Sequence, residues 1–500
     1  MKLRLVCFAL ASLSIGCFQS GSARAAEAAP AAVAPPAPYG PVPTERQLRW
    51  HEMEFYGFLH FTVNTFTDRE WGLGDEDEKV FNPTAFDADQ IVSAAKNGGM
   101  KGLILTAKHH DGFCLWPSKY TTHSVAHSGW KDGKGDVVGE ISSACKRQGL
   151  KFGVYLSPWD RNHKDYARPE YLAYYRNQLR ELLTNYGDIF IVWFDGANGG
   201  DGYYGGAREK RQIDNRHYYD WDNTWSIVRQ MMPNAVMFSD AGPDVRWVGN
   251  EIGRAGDPCW ATLNAGGRYA GGTDKGLNSG ERNGTNWIPA ECDVSIRPGW
   301  FYHENQDAKV KTPIELLNIY YQSVGRGAGL NLNLPPDRRG LIHENDIQSL
   351  REFRRILDTT FANNLAAGAT LAASNIRGGD KRFGPECLLN RKSGSYWSTD
   401  DTVHTPELTL DLGKTVTFNV VSLREYLPLG QRVDAFALDA WKDGQWTEFA
   451  KGTSIGSHHL LRVVPTTTQR VRLRITDAPV CPALCEFGLF LEPAEGRKSH

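Results

Sequence analysis

From about residue 55 to residue 239 the chain alternates short apolar runs with helix-like stretches, and no other feature restricts its fold so strongly. Strand-like runs at 55–61, 102–107, 152–156, 189–194 and 235–239 are separated by helical patterns near 88–97, 137–148, 169–186 and 221–232. Runs apolar on both faces and joined by helices indicate a parallel sheet, and the length of the pattern favours a closed (β/α)8-like barrel over a doubly wound sheet.

The alternation fails after about residue 250, where Gly- and Asn-rich sequence (264–286) has no periodicity. The barrel is therefore expected to be irregular in its last strands. A helix near 313–324, the period-two run Leu330-Asn-Leu-Asn-Leu334 and a helix over 345–362 complete it. Beyond residue 365 the texture changes to short alternating runs at 407–412, 417–423, 435–441, 460–464 and 469–475, the spacing of an all-β sandwich. The expected organisation is an α/β barrel over 44–364 and a β-sandwich over 365–496, preceded by a Pro/Ala tether at 26–43.

Residues 1–17 join a short basic start to an apolar stretch too brief to span a bilayer, and Ala23-Arg24-Ala25 offers a small-residue cleavage site. A secretion signal over 1–25 is expected, making the chain exported, periplasmic or extracellular. No later run is long enough for a membrane span. The 56 basic and 58 acidic residues are mixed, for a formal charge of −2, so neither nucleic acid nor an anionic membrane is an expected partner. Of nine cysteines, Cys7 and Cys17 fall in the signal. The other seven lack zinc-type spacing; at least one must stay unpaired, and the spacing leaves room for one local bridge, Cys481 to Cys485.

Four of the strand-like runs end in polar or aromatic clusters: Gly57-Phe-Leu-His60, Lys108-His-His-Asp-Gly112, Tyr155-Leu-Ser-Pro-Trp159 and Trp193-Phe-Asp195-Gly196. In a parallel barrel such ends converge on one mouth. His109 and His110 would face opposite ways on a regular strand, so a bend is needed for both to reach it. No third ligand at metal-binding spacing accompanies them. His60 reads equally as a core histidine, Trp71 as a rim cover and Asp195 as a turn former. Asp195 gains weight from a second carboxylate 56 residues on, Glu251, in a comparable setting, because paired carboxylates at barrel strand ends suit glycoside hydrolysis.

Residues 44 to about 345 resemble the α-L-fucosidases of glycoside hydrolase family twenty-nine, particularly the branch selective for α-1,3/1,4-linked fucose. The likeness lies in Phe58-Leu-His60-Phe-Thr-Val-Asn-Thr65, Glu70-Trp71-Gly72, Lys108-His-His-Asp-Gly-Phe-Cys-Leu-Trp116, Val192-Trp-Phe-Asp-Gly196 and Ser295-Ile-Arg-Pro-Gly-Trp300. It implies a retaining exo-fucosidase acting on a fucosylated oligosaccharide or glycoconjugate without metal or organic cofactor. Asp195 would be the nucleophile and Glu251 the acid/base, with Glu291 as second candidate, the working pair lying roughly 5 to 5.5 Å apart. His60, Glu70, Trp71, His109, His110 and Tyr155 would hold the fucose hydroxyls and ring, and Trp300 would line the methyl-bearing side. Leu423–Arg432 and Tyr396-Trp397 resemble discoidin-type (factor V/VIII C-type) sandwiches, which would either bind glycan or buttress the barrel. The rival readings are a non-catalytic glycan-binding protein and a glycosidase for a related sugar such as an α-galactoside.

Overall fold

In a computed structural model of the chain, residues 32–264, 276–390 and 394–497 are described. The expected secretion signal at 1–25 lies outside them. Eight parallel strands close a barrel: β1 (Phe55–Leu59), β2 (Gly102–Lys108), β3 (Lys151–Leu156), β4 (Ile189–Trp193), β5 (Val236–Ser239), β6 (Val245–Trp247), β7 (Ala290–Ser295) and β8 (Gly329–Asn333). Around the ring the order is β1, β8, β7, β6, β5, β4, β3, β2.

The side chains obey the two-residue period of a strand. Tyr56, Phe58, Ile104, Tyr155, Ile191, Trp193, Val236, Phe238 and Val245 fill the barrel interior. Leu59, Leu103, Leu105, Val154, Val192, Met237, Leu330 and Leu332 point outward into a second core under the helices. Those helices include α1 (Ala88–Asn97), α2 (Val137–Gln148), α3 (Glu170–Asn185), α4 (Trp221–Met231), α5 (Pro313–Gln322) and α6 (Glu344–Phe361). Local chemistry fixes their starts: the Asp87 carboxylate accepts from the N–H groups of Asp89 and Gln90, and Asp136 from that of Gly139.

Six of the eight strands coincide with the apolar runs read from the sequence; β6 and β7 do not. β6 follows β5 after five residues with no helix between them. Val245 pairs beside Phe238, near the end of β5, so the chain steps up the barrel instead of returning to its base and needs no long crossover. In β7 the alternate, inward positions are Glu291, Asp293 and Ser295, which removes the apolar signature of a buried strand.

The second domain is an antiparallel sheet system. Its strands are β9 (Thr370–Ala373), β10 (Trp397–Ser398), β11 (Glu407–Glu425), β12 (Ala435–Lys442), β13 (Gln445–Gly452), β14 (His459–Asp477) and β15 (Ala483–Phe490). β11 and β14 each merge two of the runs read separately in the sequence. Register shifts between Asp411 and Val416 and between Phe418 and Val420 bend the pair. The first half of β11 pairs with β9, and its second half with β15, so the long strands serve two layers around the Trp397, Leu408, Phe418, Leu438 and Phe487 core.

This domain docks on residues preceding β1 and β8, the end of the barrel opposite the strand tips. Glu54 pairs with Arg424 (2.6 Å) and His458 (3.0 Å), and Leu460 N–H donates to the Gly325 carbonyl (2.9 Å). Ordered contact begins before Thr44: Tyr39 N–H donates to the Leu429 carbonyl, and Arg432 Nη1 to that of Ala37, both at 3.0 Å. One backbone and one side-chain hydrogen bond thus hold part of the Pro/Ala segment on the sandwich. Cys481 and Cys485 are not joined by a bridge, and the described cysteines form no disulfide. Cys481 instead contacts Arg432, whose Nη2 lies 3.2 Å from its Sγ.

Candidate active site

The strand tips enclose a pocket of about 410 Å³ whose wall includes Phe58, His60, Trp71, His109, His110, Tyr155, Trp193, Asp195, Trp247, Glu251, Asp293 and Trp300. The structure thus brings together all the sequence-predicted site residues except Glu70 and the second candidate Glu291.

Asp195 lies two residues past the end of β4, at an inward-facing position. Its Oδ1 accepts the Ala197 N–H (2.7 Å) and its Oδ2 the Tyr155 hydroxyl (3.0 Å). Burial pushes its carboxyl above the usual aspartate range, and these two donors oppose that shift by favouring the ionised form. The glycine that follows leaves room for Asp240: a Cβ on Gly196 would fall 2.2 Å from Asp240 Oδ2 and force that side chain or the turn to move.

Glu251 stands at the exposed rim on the loop after β6, and Trp300 Nε1 donates to its Oε2 (3.2 Å). Partial burial raises its carboxyl above the ordinary value, the Trp300 bond opposes this, and the charges of Asp195 and Glu70 add to the rise. One carboxyl with two donors and a second biased toward its protonated form are the two states that acid/base chemistry at a glycosidic bond requires.

The three histidines are neutral. Burial lowers His60 and His110 to about 3, and His109 well below its ordinary value. Hydrogen bonds select two tautomers. Asn333 Nδ2 donates to Ser295 Oγ (2.9 Å) and the Trp300 carbonyl (2.8 Å), so its Oδ1 accepts from His60 Nδ1–H (2.9 Å). Ser157 donates to the Trp159 carbonyl (2.6 Å) and accepts from His110 Nδ1–H (2.7 Å). Nε2 is left on both rings as an acceptor for a ligand hydroxyl. Both histidines of the His109-His110 pair reach the pocket because β2 ends at Lys108 and the chain then turns, with Gly112 N–H donating to the His109 carbonyl (3.0 Å).

Glu70 does not line the pocket. Its carboxylate accepts from the N–H groups of Trp300 (2.8 Å) and Phe301 (3.2 Å) and contacts His303 Nε2 (2.6 Å), so it fixes the loop that carries Trp300. Glu291 lies deeper, fully buried inside the barrel. Tyr56, Trp193 Nε1 (2.8 Å) and Asn331 Nδ2 (3.0 Å) all donate to it, and burial still raises its carboxyl to about 7. Sequence reasoning missed Asn333, Ser157, Asp240, Asp293 and His303. The alternate asparagines of Leu330-Asn-Leu-Asn-Leu334 were the available signal, since polar residues at inward positions of a barrel strand require partners.

Residues 41–360 match the sequence model of the family described as alpha-L-fucosidase. The chain belongs to this family. Residues 370–487 match the F5/8 type C domain. Alpha-L-fucosidase 1 of Arabidopsis thaliana is 44% identical over 466 residues, covering 92% of this chain and 89% of the plant protein. A crystal structure of a glycoside hydrolase 29 family member from an unknown rumen bacterium is 43% identical with a TM-score of 0.81, over 91% of this chain and 78% of that one. A Ruminococcus gnavus GH29 fucosidase in complex with fucose is 32% identical with a TM-score of 0.84, over 93% and 98%. The protein is accordingly a glycoside hydrolase that hydrolyses fucosides, and its substrate is a fucosylated glycan. Among the described residues no helix is long and apolar enough to cross a membrane.

Proposed function

We propose that this fucosidase is a retaining exo-enzyme that removes terminal α-1,3/1,4-linked L-fucose from Lewis-type glycans, with Asp195 as nucleophile and Glu251 as acid/base. The observation that carries the reading is the pairing, in one pocket, of a half-buried carboxylate held by two donors with a rim carboxyl biased toward its acid form. Asp195 attacks the anomeric carbon and forms a fucosyl ester while Glu251 gives its proton to the departing glycosidic oxygen. Glu251, now ionised, takes a proton from water, whose oxygen displaces Asp195 and releases fucose with its original configuration.

His60 and His110 suit the hydroxyl-rich sugar because each offers an acceptor nitrogen, while Trp300 and Phe58 supply an apolar wall for its methyl group. Glu251 is exposed at the rim, where the leaving glycan would project. The linkage preference rests on the resemblance of the pocket motifs to the α-1,3/1,4-selective branch, and export on the basic and apolar amino terminus.

Azide rescue with an aryl α-L-fucoside tests the roles. Asp195→Gly is expected to yield the inverted β-fucosyl azide and Glu251→Ala the retained α-azide. Wild-type-like turnover of Glu251→Ala on natural glycans would remove it from the mechanism. Release of fucose from α-1,2-linked in preference to α-1,3/1,4-linked glycans would refute the linkage assignment.

A further inference from the structure

Asp293 faces the barrel interior from β7, two positions above Glu291, and forms part of the pocket wall. Its side chain is buried, with 4% of the residue exposed, and Oδ1 has no hydrogen-bond partner. It makes no ion pair among the described residues. Buried polar groups in native proteins are nearly always paired, so a carboxyl that lines a ligand pocket and has an unpaired oxygen is a candidate for a partner that arrives with the ligand.

We propose that Asp293 is a sugar-positioning residue of this fucosidase, its carboxyl O–H donating a hydrogen bond from the pocket wall to an oxygen of the bound fucosyl unit. The inference rests on the fucosidase reading of the pocket and adds a residue to it. The carboxyl is uncharged because burial first, and then the neighbouring acids Glu291, Glu251 and Asp195, hold it well above the usual aspartate range. A neutral acid is a donor as well as an acceptor.

Several groups of the pocket wall are acceptors. His60 and His110 present acceptor nitrogens, and ionised Asp195 can only accept. Sugar hydroxyls that donate to these groups keep lone pairs that call for N–H or O–H partners. An uncharged Asp293 meets that demand without adding a further negative charge beside Asp195, which would disfavour ionisation of the nucleophile.

The test uses the wild type, Asp293→Ala and Asp293→Asn, with fucose as the binding probe and an aryl α-L-fucoside as substrate. Removing a neutral hydrogen bond is expected to weaken fucose binding about 10-fold in Asp293→Ala, with a parallel rise in KM. Asp293→Asn keeps a donor and should recover part of that loss. Infrared difference spectra give a readout that a merely structural role would not move. The wild type should show a protonated-acid carbonyl band that disappears in Asp293→Asn and shifts when fucose is added.

A folded Asp293→Ala that binds fucose as the wild type does overturns the proposal. So does an Asp293→Asn variant as weak as Asp293→Ala, or an Asp293 carbonyl band that is absent or indifferent to fucose. If Asp293→Ala does not fold, the infrared comparison of wild type and Asp293→Asn decides alone. A wild type that neither binds fucose nor hydrolyses the aryl fucoside sinks the fucosidase reading itself, a result distinct from any of these.

Discussion

Glu291 allows a quantitative test that separates a structural carboxyl from a catalytic one. It is fully buried, accepts from Tyr56, Trp193 and Asn331, and its carboxyl stands at about 7 in place of 4.5. The folded protein therefore keeps a proton that the unfolded chain has already released. Stability from this group is fully present below pH 4.5, declines as pH rises and is lost above about pH 7. At about 1.4 kcal/mol per pH unit, the wild type is expected to lose ~2.5 kcal/mol between about pH 5 and pH 8 that Glu291→Gln retains, because the amide stays neutral throughout. Denaturant unfolding of both proteins at the two pH values measures this difference, and comparing them cancels every other titrating group. A gap between wild type and variant that does not change with pH would refute the reasoning. The same variant should still hydrolyse an aryl α-L-fucoside. A folded Glu291→Gln with no turnover would move the acid/base from Glu251 to Glu291.

Three further outcomes follow from the site. Trp300→Phe removes the donor that opposes the rise of Glu251, so Glu251 should hold its proton to higher pH and the basic limb of the kcat/KM profile should move upward; an unmoved or lowered limb would contradict the assignment. Gly196→Ala places a methyl group 2.2 Å from Asp240 Oδ2 and must displace it or the Asp195 turn. Its kcat should fall about 100-fold, the size of effect expected for a misplacement of about 1 Å, and near-normal kcat would show that the turn yields without cost. Lys108→Met strands the buried Asp160, whose Oδ2 lies 3.0 Å from Lys108 Nζ, and should cost about 3–5 kcal/mol. Thermal melts should show partial recovery in Lys108→Met/Asp160→Asn. The penalty of the single variant should also shrink at low pH, because Asp160, now held below its ordinary value, would take up a proton once the lysine is gone.

How much of this was legible beforehand depended on what each residue faces. Strands β1 to β5 and β8 could be read because buried strands between helices must be apolar on one or both faces, and the catalytic candidates could be read because they cluster where such strands end. The same logic concealed β7. A strand that turns Glu291, Asp293 and Ser295 inward serves the site at the expense of apolar patterning. β6 was concealed by its three residues and by the missing helix before it. The long strands β11 and β14 appeared as separate runs because bulges interrupt their alternation, and only the pairing shows that each is continuous.

The chain alone therefore determined the barrel, the sandwich and the pool of reactive side chains, since hydrophobic periodicity and strand-end chemistry are local properties. Tertiary structure decided which of those side chains share a surface. It drew His109 and His110 into one pocket through a turn and placed Glu70 behind the Trp300 loop. It also sank Glu291 among three donors while leaving Asp293 without a partner at Oδ1. The reason is that burial, hydrogen bonding and charge proximity, which set a carboxyl's protonation and hence its role, arise from residues far apart in the chain and come into being only when the barrel closes.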